Sequence, residues 1–512
     1  MLVRHFLESS AQRWPNKAAI LCGDQVVSYA EVDAMANGLA NSLIGEGVAR
    51  GDRVAIFMDN SVETAVAIFA VLKAGAVFCV INPTTKSDKL AYMLGNSGAT
   101  VLICDRLHFN TALAAGVRAR DLRCIVGVPD CPGSSELGGP RTLAFRDILE
   151  GASSAAPVID CIDLDLATIV YTSGSTGFPK GVMATNLNVV AAANSITQYL
   201  ANTADDVILN VLPLSFDYGL YQLLMAFKVG ATLVLEKSFV YPYRVVDLML
   251  RAKVTGFPGV PTIFAILLQL KDLRKYEFPS LRYITNTAAA LPVAHIRRLR
   301  EVFPHAEIYS MYGLTECKRV SYLPPEELDR RPDSVGKAIP NTEVYVVDEG
   351  GRRLPAGEVG ELVVRGAHVT RGYWRDPEET ARKFRAGPLP GETVLYTGDL
   401  CRVDEAGFLY FIGRKDDIIK TRGEKVSPKE VENVLYLIED VAQAAVLGVP
   451  DPVLGQAIKA VIVPRNGTPL TPRELIAHCA RHLEDFMVPK IVEFRADLPK
   501  NGNGKIDRKE VT

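Results

Sequence analysis

The sequence predicts an α/β protein: a large N-terminal domain over residues 1–412, then a small α+β module over 413–512. Three observations carry this. Short apolar runs alternate with amphipathic segments from Val54 to Val128 and again beyond residue 200, the texture of sheets covered by helices. From Glu343 to Phe411 strand pairs joined by Gly/Asp turns replace the helices, which gives a mostly β subdomain. After Gly413-Arg414-Lys415-Asp416-Asp417 the chain restarts with about a hundred residues, the usual size of a domain.

In chain order, Val54–Met58, Val77–Ile81 and Val101–Cys104 read as strands of a first α/β layer. The helix between the first two has Asn60 and Glu63 as a capping pair, apolar residues at Val62, Val66 and Phe69, and Gly75 as its stop. Leu166–Val170 is a buried strand, and strands at Val207–Val211, Thr232–Leu235, Tyr283–Thr285 and Glu307–Tyr309 make a second layer. In the last module, Ser427-Pro428-Lys429-Glu430 and Thr471-Pro472-Arg473-Glu474 each spell a capping box with proline at the first helical position.

At 512 residues, 48% hydrophobic and 23% charged, the chain has ordinary globular composition. A net charge of −2 gives no electrostatic basis for binding nucleic acid or an anionic membrane, so partners should be small molecules or proteins. Nine scattered cysteines without a C-x-x-C pair indicate neither a disulfide framework nor a zinc ribbon. The N-terminus lacks the apolar core of a signal peptide, and the longest apolar stretch is broken by Lys73 and Gly75, so a cytoplasmic location is expected.

The most informative segment is Tyr171-Thr172-Ser173-Gly174-Ser175-Thr176-Gly177-Phe178-Pro179-Lys180-Gly181, directly after an apolar run. Its glycines let the backbone approach an anion, its hydroxyls donate to phosphate oxygens, and Lys180 adds a mobile charge. It is not a Walker loop, because Pro179 stands where that motif demands glycine.

Further motifs follow in order: Tyr312-Gly313-Leu314-Thr315-Glu316, Tyr396-Thr397-Gly398-Asp399-Leu400, Gly413 to Lys420, and Asn503-Gly504-Lys505. With the phosphate loop they resemble the adenylate-forming superfamily of acyl-CoA synthetases, peptide-synthetase adenylation domains and luciferases. The resemblance runs nearly end to end, from Ser28-Tyr29-Ala30-Glu31 and Leu72–Val77 to Lys505. It implies a large domain of two α/β subdomains plus a β-barrel-like one, and a mobile C-terminal domain. It also implies an AMP-forming acid–thiol ligase, which needs no general base because a carboxylate is already a nucleophile at pH 7; alignment and charge neutralisation suffice.

By this resemblance Thr172, Ser173, Gly174, Thr176, Gly177 and Lys180 hold the phosphates of ATP, and Glu316 holds Mg²⁺ with Thr315 beside the α-phosphate. Asp399 accepts the ribose hydroxyls with Arg414 assisting. Tyr312, next to Gly313, stacks on adenine in a slot completed by Ala288, Ala289 and Ala290, where the chain departs from the more usual Gly-Gly pattern. Lys505 bridges the substrate carboxylate and the reacting phosphorus. Asp416 is the hinge about which the small domain turns to bring Lys420 to the thiol step. Retention of Lys180, Glu316, Asp399 and Lys505 speaks against a non-catalytic nucleotide sensor.

Substrate choice is expected from Phe216, Asp217, Gly259, Asn286 and Thr287. An ionised Asp217 in an acid pocket needs a cation, and the ammonium of an amino acid would supply it. Capping of a local helix is the plainer role for Asp217. Lys318 and Arg319 read equally as a solvated pair or as partners of a second carboxylate or a pantetheine phosphate. The leading expectation is an α- or β-amino acid passed to the phosphopantetheine thiol of a separate carrier protein, since only seven residues follow Lys505. The alternative is an acyl- or aryl-CoA synthetase using free coenzyme A. His478 and His482, without a third ligand, and Cys317, without a role in the family's chemistry, are expected to be structural.

Overall fold

In the computed structural model, which describes residues 1–129, 139–172, 179–287, 291–415, 417–421, 424–465, 469–500 and 506–511, the chain forms four sheets. The first has seven strands in the order Arg141–Ala144, Cys124–Val128, Ala99–Asp105, Arg53–Phe57, Val77–Val80, Leu166–Thr172 and Lys180–Thr185. It is parallel except for the last pair, which is antiparallel. The second has nine strands, with Glu307–Tyr312, Tyr283–Asn286, Gly256–Gly259, Val207–Asn210 and Thr232–Leu235 as its parallel centre.

Helix Val62–Lys73 lies in the core shared by these layers, and every residue in it except Glu63 is buried. The sequence pattern predicts one apolar face; burial on all sides follows from packing between elements rather than on one sheet. Phe69 stacks on Phe227 at 5.0 Å, and Lys73, 1% exposed, is compensated by Asp33 at 2.9 Å and Glu8 at 3.2 Å. The cap of this helix is Ser61, whose side chain accepts from the Thr64 amide. Asn60, expected in that role, is instead a buried cross-link: its amide donates to the Leu212 and Glu236 carbonyls and its oxygen accepts from the Leu214 amide. Gly75, at φ +72, ends the helix as expected.

The β-rich segment is a five-stranded antiparallel sheet of Glu343–Val347, Val359–Arg365, Thr393–Val403, Phe384–Ala386 and Leu409–Arg414. The fourth sheet pairs Val441–Asp451, Gly455–Pro464, Ile419–Thr421, Glu424–Val426 and Ile491–Phe494, with helices Pro428–Leu435 and Pro472–His482 packed on it. The Thr471 capping box forms in full, but Ser427 makes no cap bond; its hydroxyl donates to the Ile412 carbonyl. Among the described residues no helix is long and apolar enough to cross a membrane.

His368, 3% exposed, is held neutral: burial pushes its pKa down from 6.5 to about 4. The unfolded chain binds a proton there that the folded one refuses, so stability is lost as pH falls from about 6.5 towards 4, by on the order of 3 kcal/mol for this group. Chemical denaturation of wild type and His368→Gln across that window should show a shallower pH slope for the variant; parallel slopes would remove His368 from the acid response.

Candidate active site

The strands Leu166–Thr172 and Lys180–Thr185 pair antiparallel with Thr172 opposite Lys180, so the hydroxyl-rich loop closes a hairpin rather than leading into a helix. Ser173, Gly174, Thr176 and Gly177 lie outside the described residues. The free edge of this hairpin is covered by Arg371–Trp374: Met183 donates to the Gly372 carbonyl at 2.9 Å, Trp374 donates to the Gly181 carbonyl at 2.7 Å, and Val182 bridges Tyr373. That segment brings Tyr373 and Glu379 to the lysine. Lys180 Nζ lies 3.3 Å from Glu379 Oε1 and 5.7 Å from the Tyr373 ring centroid.

The second element is the excursion after strand Glu307–Tyr312. Val320 donates back to the Tyr312 carbonyl at 2.9 Å, which folds residues 313–319 into a tight turn. Gly313 is required there, because a Cβ would stand 2.3 Å from the Lys318 carbonyl oxygen. The turn presents Thr315 and Glu316. Tyr373 Oη donates to Glu316 Oε1, Lys383 Nζ stands 4.0 Å from the same oxygen, and the Thr370 amide donates to the Glu316 carbonyl at 2.9 Å.

The third element is a cross-strand pair. Asp399 and Arg414 are directly opposite in the β-rich sheet, and Arg414 Nε lies 3.4 Å from Asp399 Oδ1. Tyr312 Oη donates to Asp399 Oδ2 at 2.5 Å, and the Asp399 amide donates to Thr397 Oγ1 at 3.1 Å. Burial drives the Tyr312 phenol far from ionisation, and the neighbouring Asp399 charge adds to it. Burial works against the Arg414 charge, but Asp399, Asp417 and Glu316 outweigh it and hold the guanidinium protonated.

Beside this cluster the parallel strands of the nine-stranded sheet end together, with Gly259, Asn286 and Ser310 level at their carboxyl edge, where open α/β sheets bind ligands. Asn286 and Thr287 are buried at that edge, and a Cβ on Gly259 would strike the Phe264 ring at 2.6 Å. Phe216 precedes helix Asp217–Val229, whose first residue is Asp217. Burial pushes the Asp217 carboxyl up; Lys318, Arg319 and the Tyr218 amide pull it down, and burial prevails. No ion pair to Asp217 within 4.0 Å forms among the described residues.

Lys180, Thr315, Glu316, Tyr312, Gly313, Asp399 and Arg414 are thus brought into one polar cluster, with Asp217, Gly259, Asn286 and Thr287 next to it. Ala288, Ala289, Asp416 and Lys505 lie outside the described residues; Lys420 pairs with Lys425 in strand Ile419–Thr421, and its side chain is likewise outside. Tyr373, Glu379 and Lys383 are additions that sequence reading missed. The one available signal was an acid and a base at i, i+4 on helix Pro377–Lys383, a spacing ordinary for exposed helices. Cys317 is fully buried with its thiol pushed up by burial, and among the described residues His478 and His482 form no metal-ligand cluster.

The AMP-binding enzyme family profile matches residues 7–374, and that of the AMP-binding enzyme C-terminal domain matches 430–505. A long-chain-fatty-acid–CoA ligase of Bacillus subtilis is 31% identical over 99% of the chain and 94% of its own length. Tyrocidine synthase 3 of Brevibacillus parabrevis is 31% identical over 99% of the chain but only 8% of its own length. Among solved structures, the anthranilate CoA ligase AuaEII in complex with anthranoyl-AMP superposes with a TM-score of 0.92 at 28% identity, covering 100% of the chain and 96% of AuaEII.

The Tyr312–Asp399 bond makes a structural prediction. Tyr312→Phe deprives a buried carboxylate of its phenol donor, which costs about 1–3 kcal/mol. Thermal unfolding without ligands should show a Tm lower by about 1–3 °C; an unchanged Tm would mean that the phenol contributes nothing to holding Asp399.

Proposed function

The chain belongs to the AMP-binding enzyme family, and on that premise we propose that it joins a carboxylic acid to coenzyme A through an acyl-adenylate. The observation that carries the acceptor is the end-to-end match to ligases named for CoA. This revises the leading expectation from sequence, an amino acid passed to a carrier protein. That second reading keeps one support, the Tyrocidine synthase 3 match. Its other basis, a bare Asp217 awaiting an ammonium, is weakened because Lys318 and Arg319 already oppose that charge.

In the first step the acid's carboxylate oxygen attacks the α-phosphorus of ATP, a P–O bond to the acid forms, and the bond to the β-phosphate oxygen breaks to release pyrophosphate. Thr172, Ser173, Thr176 and Lys180 hold the departing phosphates. Lys180 must then exchange Glu379, 3.3 Å away, for phosphate oxygens. Asp399, rigidly held by Tyr312 and Arg414, accepts the ribose hydroxyls. The Glu316 carboxylate, 12% exposed, is a hard oxygen donor of the kind Mg²⁺ uses together with substrate phosphates, and the ion would neutralise charge on the phosphates when bound. In the second step the thiolate of coenzyme A attacks the acyl carbon, the C–S bond forms, and AMP leaves with the electrons of the C–O bond. Lys505 serves the first step; the small domain, beyond residue 412, turns about Asp416 and brings Lys420 to the second.

A coupled assay of AMP release and acyl-CoA formation over a library of acids tests this. Wild type should form CoA thioesters with at least one acid, without any carrier protein. Lys505→Ala should lose adenylation by about a hundredfold or more while still converting supplied acyl-adenylate to thioester. Thioester formation only on a phosphopantetheinylated protein would return the carrier-protein reading, and equal loss of both half-reactions would end the assigned role of Lys505.

A further inference from the structure

Among the described residues, four polar atoms beside Asp217 are buried without a hydrogen-bond partner: Ser215 Oγ, Tyr221 Oη, Lys318 Nζ and Arg319 Nε. Tyr221, Lys318 and Arg319 are 2%, 3% and 4% exposed. A buried lysine nitrogen with no acceptor in the surrounding fold is among the costlier arrangements to keep, so the site favours an incoming acceptor. The atoms belong to one place. Ser215 precedes helix Asp217–Val229, Tyr221 lies one turn into it, and Arg319 sits 5.0 Å over the ring of Tyr218 in the same helix. Lys318 is next in the chain to Arg319.

The backbone there is also strained. Lys318 has φ +66, a left-handed conformation that a lysine adopts only when its surroundings dictate it. The tight turn closed by Val320 on Tyr312, with no room for a Cβ on Gly313, imposes it. The strain places a lysine in the pocket wall instead of in solvent.

Resting on the ligase reading above, we propose that the acid is a short dicarboxylic acid whose second carboxylate is received by Lys318 and Arg319. Donors dominate the orphaned set: ammonium and guanidinium nitrogens donate only, and the two hydroxyls can donate. Asp217 and Glu316 oppose these cations electrostatically, but among the described residues neither accepts a hydrogen bond from Lys318 Nζ or Arg319 Nε. A second carboxylate on the substrate offers about four lone-pair sites to that set. An alkyl chain would leave every one of these atoms unpaired, and sites built for hydrogen bonding reject analogues lacking the group most strongly. An amino acid's ammonium could meet Asp217 but is itself only a donor and would leave these atoms unpaired.

The test is pyrophosphate exchange and CoA thioester formation with C3–C6 dicarboxylic acids, monocarboxylic acids of equal length, neutral amino acids and a long-chain fatty acid. Wild type should favour a dicarboxylic acid by at least a hundredfold in kcat/KM. Lys318→Met should erase most of that preference, lowering kcat/KM for the diacid at least a hundredfold, leaving the monoacid unchanged or improved, and holding the KM for ATP. If the variant fails to fold, the wild-type ranking decides alone. A wild-type preference for monocarboxylic, fatty or amino acids, or an unchanged preference in Lys318→Met, overturns the proposal while thioester formation upholds the ligase reading; no adenylate from any acid overturns both.

Discussion

Asp399, a carboxylate 3% exposed, is held from two sides: by a phenol at the end of the nine-stranded sheet and by a guanidinium on the neighbouring strand of the β-rich sheet. Breaking one partner of such a buried charge is far more costly than the pair's net contribution, so the two sheets cannot shift apart at this point without penalty. The strand ends at Gly259 and Asn286 and the turn that carries Glu316 grow from the same sheet edge as Tyr312. Their placement relative to Arg414 and the β-rich sheet therefore depends on how firmly Asp399 is gripped.

Around it, charges are paired inside the protein. Lys180 faces Glu379, and Glu316 takes the Tyr373 hydroxyl with Lys383 nearby. On the function proposed above, a polyphosphate would enter this cluster by exchanging partners. Around Asp217, by contrast, Lys318 Nζ, Arg319 Nε and the Ser215 and Tyr221 hydroxyls make no hydrogen bond among the described residues. Family membership cannot choose the acid, because relatives of similar identity carry names that include long-chain fatty acids and anthranilate. The proposed choice therefore rests on the polar atoms around Asp217.

What could be read in advance was whatever local pattern decides. Alternating apolar runs located the strands to within a few residues, and the Thr471 box formed as spelled because its partners lie three residues apart. Asn60 and Ser427 defeated the same reasoning: each had a suitable neighbour in sequence, but a distant carbonyl took its side chain. Tyr373, Glu379 and Lys383 were illegible because tertiary pairing with the Lys180 hairpin, not any spacing, brings them to the site. Lys318 and Arg319 read in the sequence equally as a solvated pair or as partners of a second carboxylate or a pantetheine phosphate; the closed turn from Tyr312 to Val320 buries both.

The most direct measurement is a crystal structure with a non-hydrolysable acyl-adenylate analogue and pyrophosphate. The charge-exchange reading requires Lys180 Nζ to have left Glu379 for phosphate oxygens, with both ribose hydroxyls on an Asp399 still bonded to Tyr312 and Arg414. A complex in which the Lys180–Glu379 pair persists and the ribose lies away from Asp399 would contradict it.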